Sequence, residues 1–570
     1  MLRNVLPFDT QSGIAVVVYL LAGTLGFYYL LLRDRRVSLS KKIYFLICRR
    51  DLKEALLEIE LTNRSEPGII ADNTQYVKLN GHTLRIVHII HELGSKVPLI
   101  VFIHGLGGQV SQWKYQIEYF SKTAHILAID LLGCGKSEVA KDWDSYKTAS
   151  LVNDIKTLLL ERYNYPSTVI IAHSYGCALA SLIAASPDVQ PLLKGLVLIA
   201  PKAHINDAQL KSKERLKFIP DWLFDCARTA DRKGGLYSIS VDRLLNMKDA
   251  SEDIRRDQLC WNLQSRSAVY KRFVSGATFP SRDTYQKIET GVLLIGGSVD
   301  SITPPAEMNI IRDYLLGIEP LSDLIQQQQP VDTTVTRKPN NSNTRVPVPY
   351  IIPDVGHLPM VIRPELVNPV ISEFLIKNCS LDTLSGAWQI LHKTKGENKW
   401  DLKNYAKWAG IANITEKPVG PSLFRAMKVM RQTDTSHCPS ALLAKYPDIR
   451  FIIDISNDTP PYRSSDFEHS RIEYIKFKTV SKIPPTKEEV AKFIEIASSC
   501  WKKIPDAQIA VHCHYGFNRT GFFICCYMIE KLKVSVPDAL KYFKEVRPPG
   551  IRHAHFIDEL YLRYVLNQRA

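Results

Sequence analysis

No two of the eleven cysteines form a CxxC pair, and their spacing follows no regular framework. An odd, unpatterned set argues against a disulfide-stapled scaffold and for a reducing compartment. No internal repeat is visible, so a solenoid or propeller is not expected. No group of His, Cys, Asp and Glu has metal-ligand spacing, and neither a metal nor an organic cofactor is expected. Acidic charge is in short supply: 73 Lys and Arg face 58 Asp and Glu, for a net charge of +15. The excess is local. Residues 33–51 hold seven Lys/Arg against two Asp, residues 391–570 hold 29 Lys/Arg against 19 Asp/Glu, and the remainder is neutral. The first patch suits an anionic leaflet. The second fits either simple solubility or an anionic substrate.

What is present begins with length. At 570 residues the chain exceeds one ordinary core, because domains mostly run to about 100–200 residues. The run Gly13–Leu32, "GIAVVVYLLAGTLGFYYLLL", is free of charge and long enough to cross a bilayer as a single N-terminal transmembrane helix. Only Arg3 precedes it, whereas "RDRR" and "KKIYFLICRR" follow it, which argues against a cleaved signal peptide. A core helix is the alternative. The positive-inside bias places the rest of the chain in the cytosol, with membrane lipid as a partner. Cys48, beside basic residues, is a candidate for palmitoylation or a plain interfacial cysteine.

From residue 75 to 378, short β-branched runs alternate with helical ones: "LRIVHII", "VPLIVFIHG", "AHILAIDLLG", "STVIIAHSYG", "KGLVLIAPKA", "TGVLLIGGSVD" and "VPYIIPDVGH". Strands separated by helices predict an α/β class domain with a largely parallel sheet covered on both faces. Amphipathic charged sequence over 203–288 interrupts the alternation and reads as a helical cap. The polar stretch 321–347, rich in Gln, Asn and Pro, reads as a disordered loop. The expected organisation is an anchor and basic segment over 1–52, the α/β domain over 75–378, a linker over 379–399, and a second α/β domain over 400–570.

"AHSYG" sets Ser174 between a strand and a helix, where small residues are needed two before and two after because backbone meets backbone. Gly176 satisfies one position and Ala172 stands at the other. "HGLGG" at 104–108 ends an earlier strand, so the amides of Leu106 and Tyr175 could hold an oxyanion. Asp300 follows one late strand and His357 the next. The chain order Ser, Asp, His, with these loops, resembles the α/β-hydrolase superfamily over residues 75–378. The resemblance implies that Ser174 attacks, His357 relays its proton and Asp300 orients the imidazolium. The superfamily hosts many substrates. A serine nucleophile beside a capped pocket and an anchor favours an apolar acyl ester.

"HCHYGFNRTG" fits C-x5-R-T, with Cys513 ending a strand and a helix starting at once. That geometry aims the amides of His514, Tyr515, Gly516, Phe517 and Asn518 at a phosphate-sized hole. The same positive field favours a Cys513 thiolate, and Arg519 can bind two phosphate oxygens in its planar fork. Thr520 can donate to the thiolate as the cysteinyl-phosphate breaks down. Together with "IIDISN" and "RPPGIRHAHFIDELYLRY", the loop resembles the RNA 5′-triphosphatase branch of cysteine phosphatases, as in metazoan mRNA capping enzymes, over 400–566. The resemblance implies a dual-specificity-phosphatase fold acting on phosphate esters or anhydrides. His514 departs from the threonine usual in that branch.

The segment 475–487, where related phosphatases carry an aspartic general acid, contains no Asp or Glu. A diphosphate leaves without a donated proton, whereas an alkoxide does not. An RNA 5′ end is therefore favoured as the phosphorylated substrate, with phosphotyrosine, phosphoinositide and non-catalytic phosphate binding as alternatives. No guanylyltransferase-type lysine motif is apparent. "NRT" at 518–520 is a glycosylation sequon inside the loop, which a cytosolic orientation leaves unmodified.

Overall fold

In a computed structural model of the chain, the long apolar runs become the central strands of two separate sheets. The structure describes residues 52–205, 213, 215–247, 250–318, 345–393, 405–457 and 459–566. The expected membrane helix Gly13–Leu32 and Cys48 lie outside the described residues, as does most of the expected loop 321–347. Among the described residues, no helix is long and apolar enough to cross a membrane. The chain divides into two units, Met1–Pro364 and Glu365–Ala570.

The first unit is built on eight strands, ordered β1-β2-β4-β3-β5-β6-β7-β8. They are β1 (Thr74–Leu79), β2 (His82–Ile89), β3 (Leu99–Ile103), β4 (His125–Ile129), β5 (Thr168–His173), β6 (Leu193–Ile199), β7 (Gly291–Gly297) and β8 (Tyr350–Ile352). β1 and β2 pair antiparallel, as do β2 and β4, and every other pairing is parallel. β3, β4 and β5 are buried along their whole length, which is why they read as unbroken apolar runs. β1 is half exposed, and its sequence, TQYVKL, carries no such run. It is joined to β2 by Asn80 and Gly81, both at positive φ, as a two-residue hairpin turn requires.

Helix α1 (Leu52–Thr62) precedes the sequence-based start of this domain, yet it is bound into it. Glu60 pairs with Arg256, Arg64 with Asp257 at 2.7 Å, and the Cys260 thiol donates to the Leu61 carbonyl. Helix α2 (Tyr175–Ala184) starts directly after β5 and is almost wholly buried. Between β6 and β7 lies the expected cap, which includes α3 (Asp221–Asp231), α4 (Ile239–Leu245), α5 (Glu252–Gln264) and α6 (Ser267–Gly276). Ser251 caps α5 by accepting from the Ile254 amide, which begins the helix where the charged amphipathic sequence does. The last residues of the expected disordered stretch are ordered: the Arg345 carbonyl accepts from Val292, and Val346 is fully buried.

The second unit holds a four-stranded, all-parallel sheet, ordered β11-β10-β12-β9. Its strands are β9 (Phe424–Met427), β10 (Ile449–Asp454), β11 (Glu473–Lys476) and β12 (Gln508–His512). Helix α7 (Gly386–Lys393) occupies part of the segment expected to be a linker, so that segment is not an open connection. Gly386 sits so close to His555 that a Cβ would fall 2.3 Å from its Nδ1. Helix α8 (Lys487–Lys503) opens with a capping box between Thr486 and Glu489. Helix α9 (Asn518–Leu532) follows β12 after a five-residue loop. Its apolar residues pack with Phe424, Phe493 and Phe556 into one core.

Candidate active sites

In the first unit, the reversal from β5 into α2 forces Ser174 to φ 53° and ψ −123°, a conformation most residues avoid. The strain persists because neighbours hold the turn. A Cβ on Gly176 would fall 2.6 Å from the carbonyl oxygens of both Ile103 and His104, and one on Gly105 would fall 2.8 Å from the Ser174 Cβ. The turn therefore lifts Ser174 Oγ to the strand ends, 2.9 Å from His357 Nε2. His357 Nδ1 in turn lies 2.8 Å from Asp300 Oδ2. Asp300 accepts further bonds from the amides of Ile302 (2.8 Å) and Thr303 (3.0 Å) and from the Thr303 hydroxyl (2.8 Å). Burial pushes its carboxyl pKa up, but His357 and the Thr303 donors overcome this and hold it below the usual range. Asp300 is thus an ionised partner for a forming imidazolium.

His173 Nε2 meets the His357 carbonyl at 2.8 Å, and burial drives the His173 pKa down to about 3. The ring is therefore neutral and donates from Nε2, fixing the backbone of His357. On the oxyanion side, His104 accepts the Leu131 amide at Nε2 (3.0 Å), so its Nδ1–H donates to the Gly105 carbonyl (2.8 Å). Asp130 accepts the Val110 amide at 2.7 Å and the Lys136 amide at 3.0 Å. These bonds lock the HGLGG loop against the turn at 130–137. The amide of Tyr175 opens α2 and has no acceptor within the helix. Leu106 lines a cavity of about 930 Å³ that also exposes Ser174 and His357 and is roofed by cap residues, among them Phe224, Ile239 and Tyr270. Such a volume takes a sizeable organic substrate.

In the second unit, Cys513 follows β12 and lies beneath the start of α9. The His514 carbonyl accepts from the Val429 amide at 3.0 Å, and the Tyr515 carbonyl accepts from Arg547 Nη2 at 2.9 Å. Since C=O and N–H oppose each other across a trans peptide, the amides of Tyr515 and Gly516 turn inward. Gly516 has φ +73°, and a Cβ there would fall 2.2 Å from the Met427 carbonyl oxygen. Arg519 Nη1 donates to the carbonyls of Ile455 (3.0 Å) and Thr479 (2.9 Å), which aligns the guanidinium over the loop. The Thr520 hydroxyl accepts the Cys513 amide at 3.1 Å. Asn518 faces away from the hole: its Oδ1 accepts the amides of Arg552 (2.8 Å) and His553 (3.1 Å), and Arg552 stacks on Phe517.

Burial alone would raise the Cys513 pKa, but Arg519, the Thr520 hydroxyl and the loop amides outweigh it and bring the thiol below its ordinary value. Cys525 and Cys526, equally buried, are shifted upward by that burial, Cys526 even against the cation of Arg563. Alkylation of Cys513 by iodoacetamide should therefore persist at pH values where Cys525 and Cys526 have stopped reacting. A pH–rate profile read by peptide mass spectrometry checks this, and a midpoint at or above that of an ordinary thiol would contradict it.

Behind the loop, Asp454 is fully buried and accepts from Tyr474 (2.7 Å), Lys476 (2.9 Å) and Ser456 (2.6 Å). His512, the residue before Cys513, is held by Tyr462 at 2.7 Å. Burial raises the Asp454 pKa, but His512, Ser456, Lys476 and Tyr474 bring it below the usual range. Its stabilisation is thus present above the ordinary aspartate value and lost as pH falls through the lowered one. Asp454→Asn should cost the second unit about 2–3 kcal/mol, less than a fully buried pair because Lys476 is 22% exposed, as thermal unfolding at neutral pH would measure. The difference from wild type should shrink in acid.

Residues 98–315 match the family model for the alpha/beta hydrolase fold, and residues 433–565 match that for the dual specificity phosphatase catalytic domain. The chain joins an α/β-hydrolase domain to a dual specificity phosphatase domain. Across the hydrolase domain it is 27% identical over 328 residues to an abhydrolase domain-containing protein of Schizosaccharomyces pombe, covering 54% of this chain and 88% of that protein. The phosphatase domain is 39% identical over 114 residues to the mRNA-capping enzyme of Danio rerio, covering 20% of this chain and 19% of that enzyme. It is also 29% identical over 124 residues to a putative tyrosine-protein phosphatase of Orgyia pseudotsugata multicapsid polyhedrosis virus, covering 22% of this chain and 56% of the viral protein. The chain thus spans about a fifth of the length of the capping enzymes it matches.

The structure brings Ser174, His357 and Asp300 into one hydrogen-bonded line, and gathers Cys513, Arg519 and Thr520 around one loop. Thr303, His173, His104 and Asp130 support the hydrolase site without having been singled out from sequence. Arg547 in the phosphatase domain was likewise missed. Its signal lay in the "RPPG" segment, where an arginine stands among residues that close a turn. Among the described residues, no group of His, Cys, Asp and Glu is placed to hold a metal ion.

Proposed function

We propose that this chain is a membrane-anchored, cytosol-facing hydrolase with two catalytic centres, a serine esterase and a cysteine-dependent phosphatase. The observation that supports it most strongly is that each nucleophile has an activating partner: His357 lies 2.9 Å from Ser174, and the cation of Arg519 lowers the Cys513 pKa. Ser174 would attack an acyl ester, His357 would take and return the proton, and the amides of Leu106 and Tyr175 would hold the oxyanion. The apolar part of the cavity lining and the N-terminal apolar run favour a lipid-like acyl group. Anchoring by Gly13–Leu32 and the cytosolic orientation rest on the sequence pattern, with lipid as the partner.

For the phosphatase centre we favour a phosphoanhydride such as an RNA 5′-triphosphate end. The loop between β11 and α8 contains no carboxylate, Glu489 is committed to the cap of α8, and Asp454 is held ionised beneath the site. With no acid to protonate it, a leaving group must depart on its own, as a diphosphate does. The similarity to a viral tyrosine-protein phosphatase supports a second reading, phosphotyrosine. Phosphate release by the full chain from triphosphate-ended RNA and from a phosphotyrosine peptide, side by side, separates the two. Turnover of the peptide alone would reverse the ranking, and turnover of neither would leave phosphate binding without catalysis.

A further inference from the structure

The cap carries an exposed apolar surface beside the Ser174 cavity. Phe218 is 86% exposed, Trp222 67%, Tyr237 68% and Ile239 67%. Single exposed apolar residues are ordinary, but these four fall within one stretch of the cap, residues 218–239. The same part of the cap borders the Ser174 cavity, because Leu216, Phe224 and Ile239 line it. Phe218 and Trp222 flank Leu216 and Phe224 in the chain, so α3 sends Phe224 into the cavity while Trp222 stays in solvent.

The charge beside this surface is basic. Arg215 and Lys217, just before Phe218, are exposed, whereas Asp221 beside Trp222 is paired with Lys271 at 2.7 Å. Aromatic side chains interleaved with cations match an anionic lipid surface, where rings settle at the boundary between headgroups and acyl chains. A second copy of the chain fits less well. A twofold contact through this face would set Arg215 and Lys217 against their own counterparts.

We propose that this face of the cap docks on an anionic bilayer, with Phe218 and Trp222 inserted and the mouth of the Ser174 cavity opening onto the lipid. Docking gives an acyl ester a route from the bilayer into the cavity without crossing water. The delivery role rests on the esterase reading, whereas the docking itself does not.

The test uses the full chain reconstituted in vesicles of phosphatidylcholine with or without phosphatidylserine, so that any N-terminal anchoring is common to both. Amide hydrogen exchange over residues 215–224 should slow by about tenfold with phosphatidylserine and by less without it. Phe218→Ser/Trp222→Ser should lose that protection while exchange in the second unit stays unchanged. The same double variant should keep hydrolysis of a soluble short-chain ester and lose about tenfold on a vesicle-borne long-chain ester. Unchanged exchange on adding vesicles would overturn the proposal, as would protection that survives in the double variant. Slowing without vesicles that grows with protein concentration would assign the face to a second copy instead. If wild type hydrolyses neither ester, the esterase reading fails, and the exchange data still decide docking.

Discussion

Ser174→Ala is expected to abolish ester hydrolysis, by on the order of 10⁴-fold or more in kcat, and to end labelling by a fluorophosphonate probe. The size follows from how little else could attack. His357 sits 2.9 Å from the serine oxygen and Asp300 2.8 Å beyond the other ring nitrogen, so removal of the oxygen leaves a base with nothing to deprotonate. Water in its place lacks the covalent acyl route and the fixed approach to the oxyanion amides. The fold should be unaffected, since the strained turn is held by close packing at Gly105 and Gly176 rather than by the hydroxyl. Unchanged melting with lost labelling is the expected pair of results. Labelling that survives in Ser174→Ala would place the reactive serine elsewhere. Phosphate release by the other domain should be untouched.

The second large effect concerns Arg519. Arg519→Lys should lower phosphate release about a thousandfold, despite retaining the charge. Arg519 Nη1 is committed to the carbonyls of Ile455 and Thr479, and a guanidinium fixed in this way still has Nε and Nη2 to offer an oxyanion. A lysine ammonium can satisfy those carbonyls or reach the phosphate, but not both in the same plane. Arg519 is also the first of the influences that lower the Cys513 pKa against burial, so the variant should shift the thiol's alkylation midpoint upward. Comparison with Cys513→Ser separates the two contributions. The serine variant should lose turnover completely while still binding phosphate, whereas Arg519→Lys should weaken binding as well. If Arg519→Lys retained wild-type turnover, planar recognition of the phosphate would not be part of the mechanism.

Much of this was readable from the chain because the relevant signals are local. β3, β4 and β5 are buried on both faces, and burial of that kind writes itself as unbroken Val, Ile and Leu. The two nucleophile loops are also local, since a tight strand-to-helix turn demands small residues at fixed offsets. What escaped was set by distant contacts. β1 is an edge strand with alternating polar residues, and only its pairing with β2 makes it a strand. Helix α1 belongs to the hydrolase unit through ion pairs to residues some two hundred positions later, which no local pattern announces. Asp130 acts by accepting the amides of Val110 and Lys136, and Thr303 by donating its amide and hydroxyl to Asp300, bonds that no local pattern announces. Arg547 holds the phosphate loop from 32 residues downstream.

Gly105 and Gly176 also bear on how such a chain can change over generations. Each lies against the backbone of the other's loop or the serine itself, so a side chain at either position collides with atoms that have nowhere to retreat. A substitution at one could be accommodated only by a simultaneous shift of the other loop, and single steps of that kind are purged. The cap helices are inserted between β6 and β7; α4 is tied to the site, because the Leu244 and Leu245 carbonyls accept the amides of His357 and Gly356, whereas α3 faces it across the cavity. Lineages of this chain should therefore hold the two glycines and the end of α4 while drifting in α3, so that substrate preference diversifies while the chemistry stays the same.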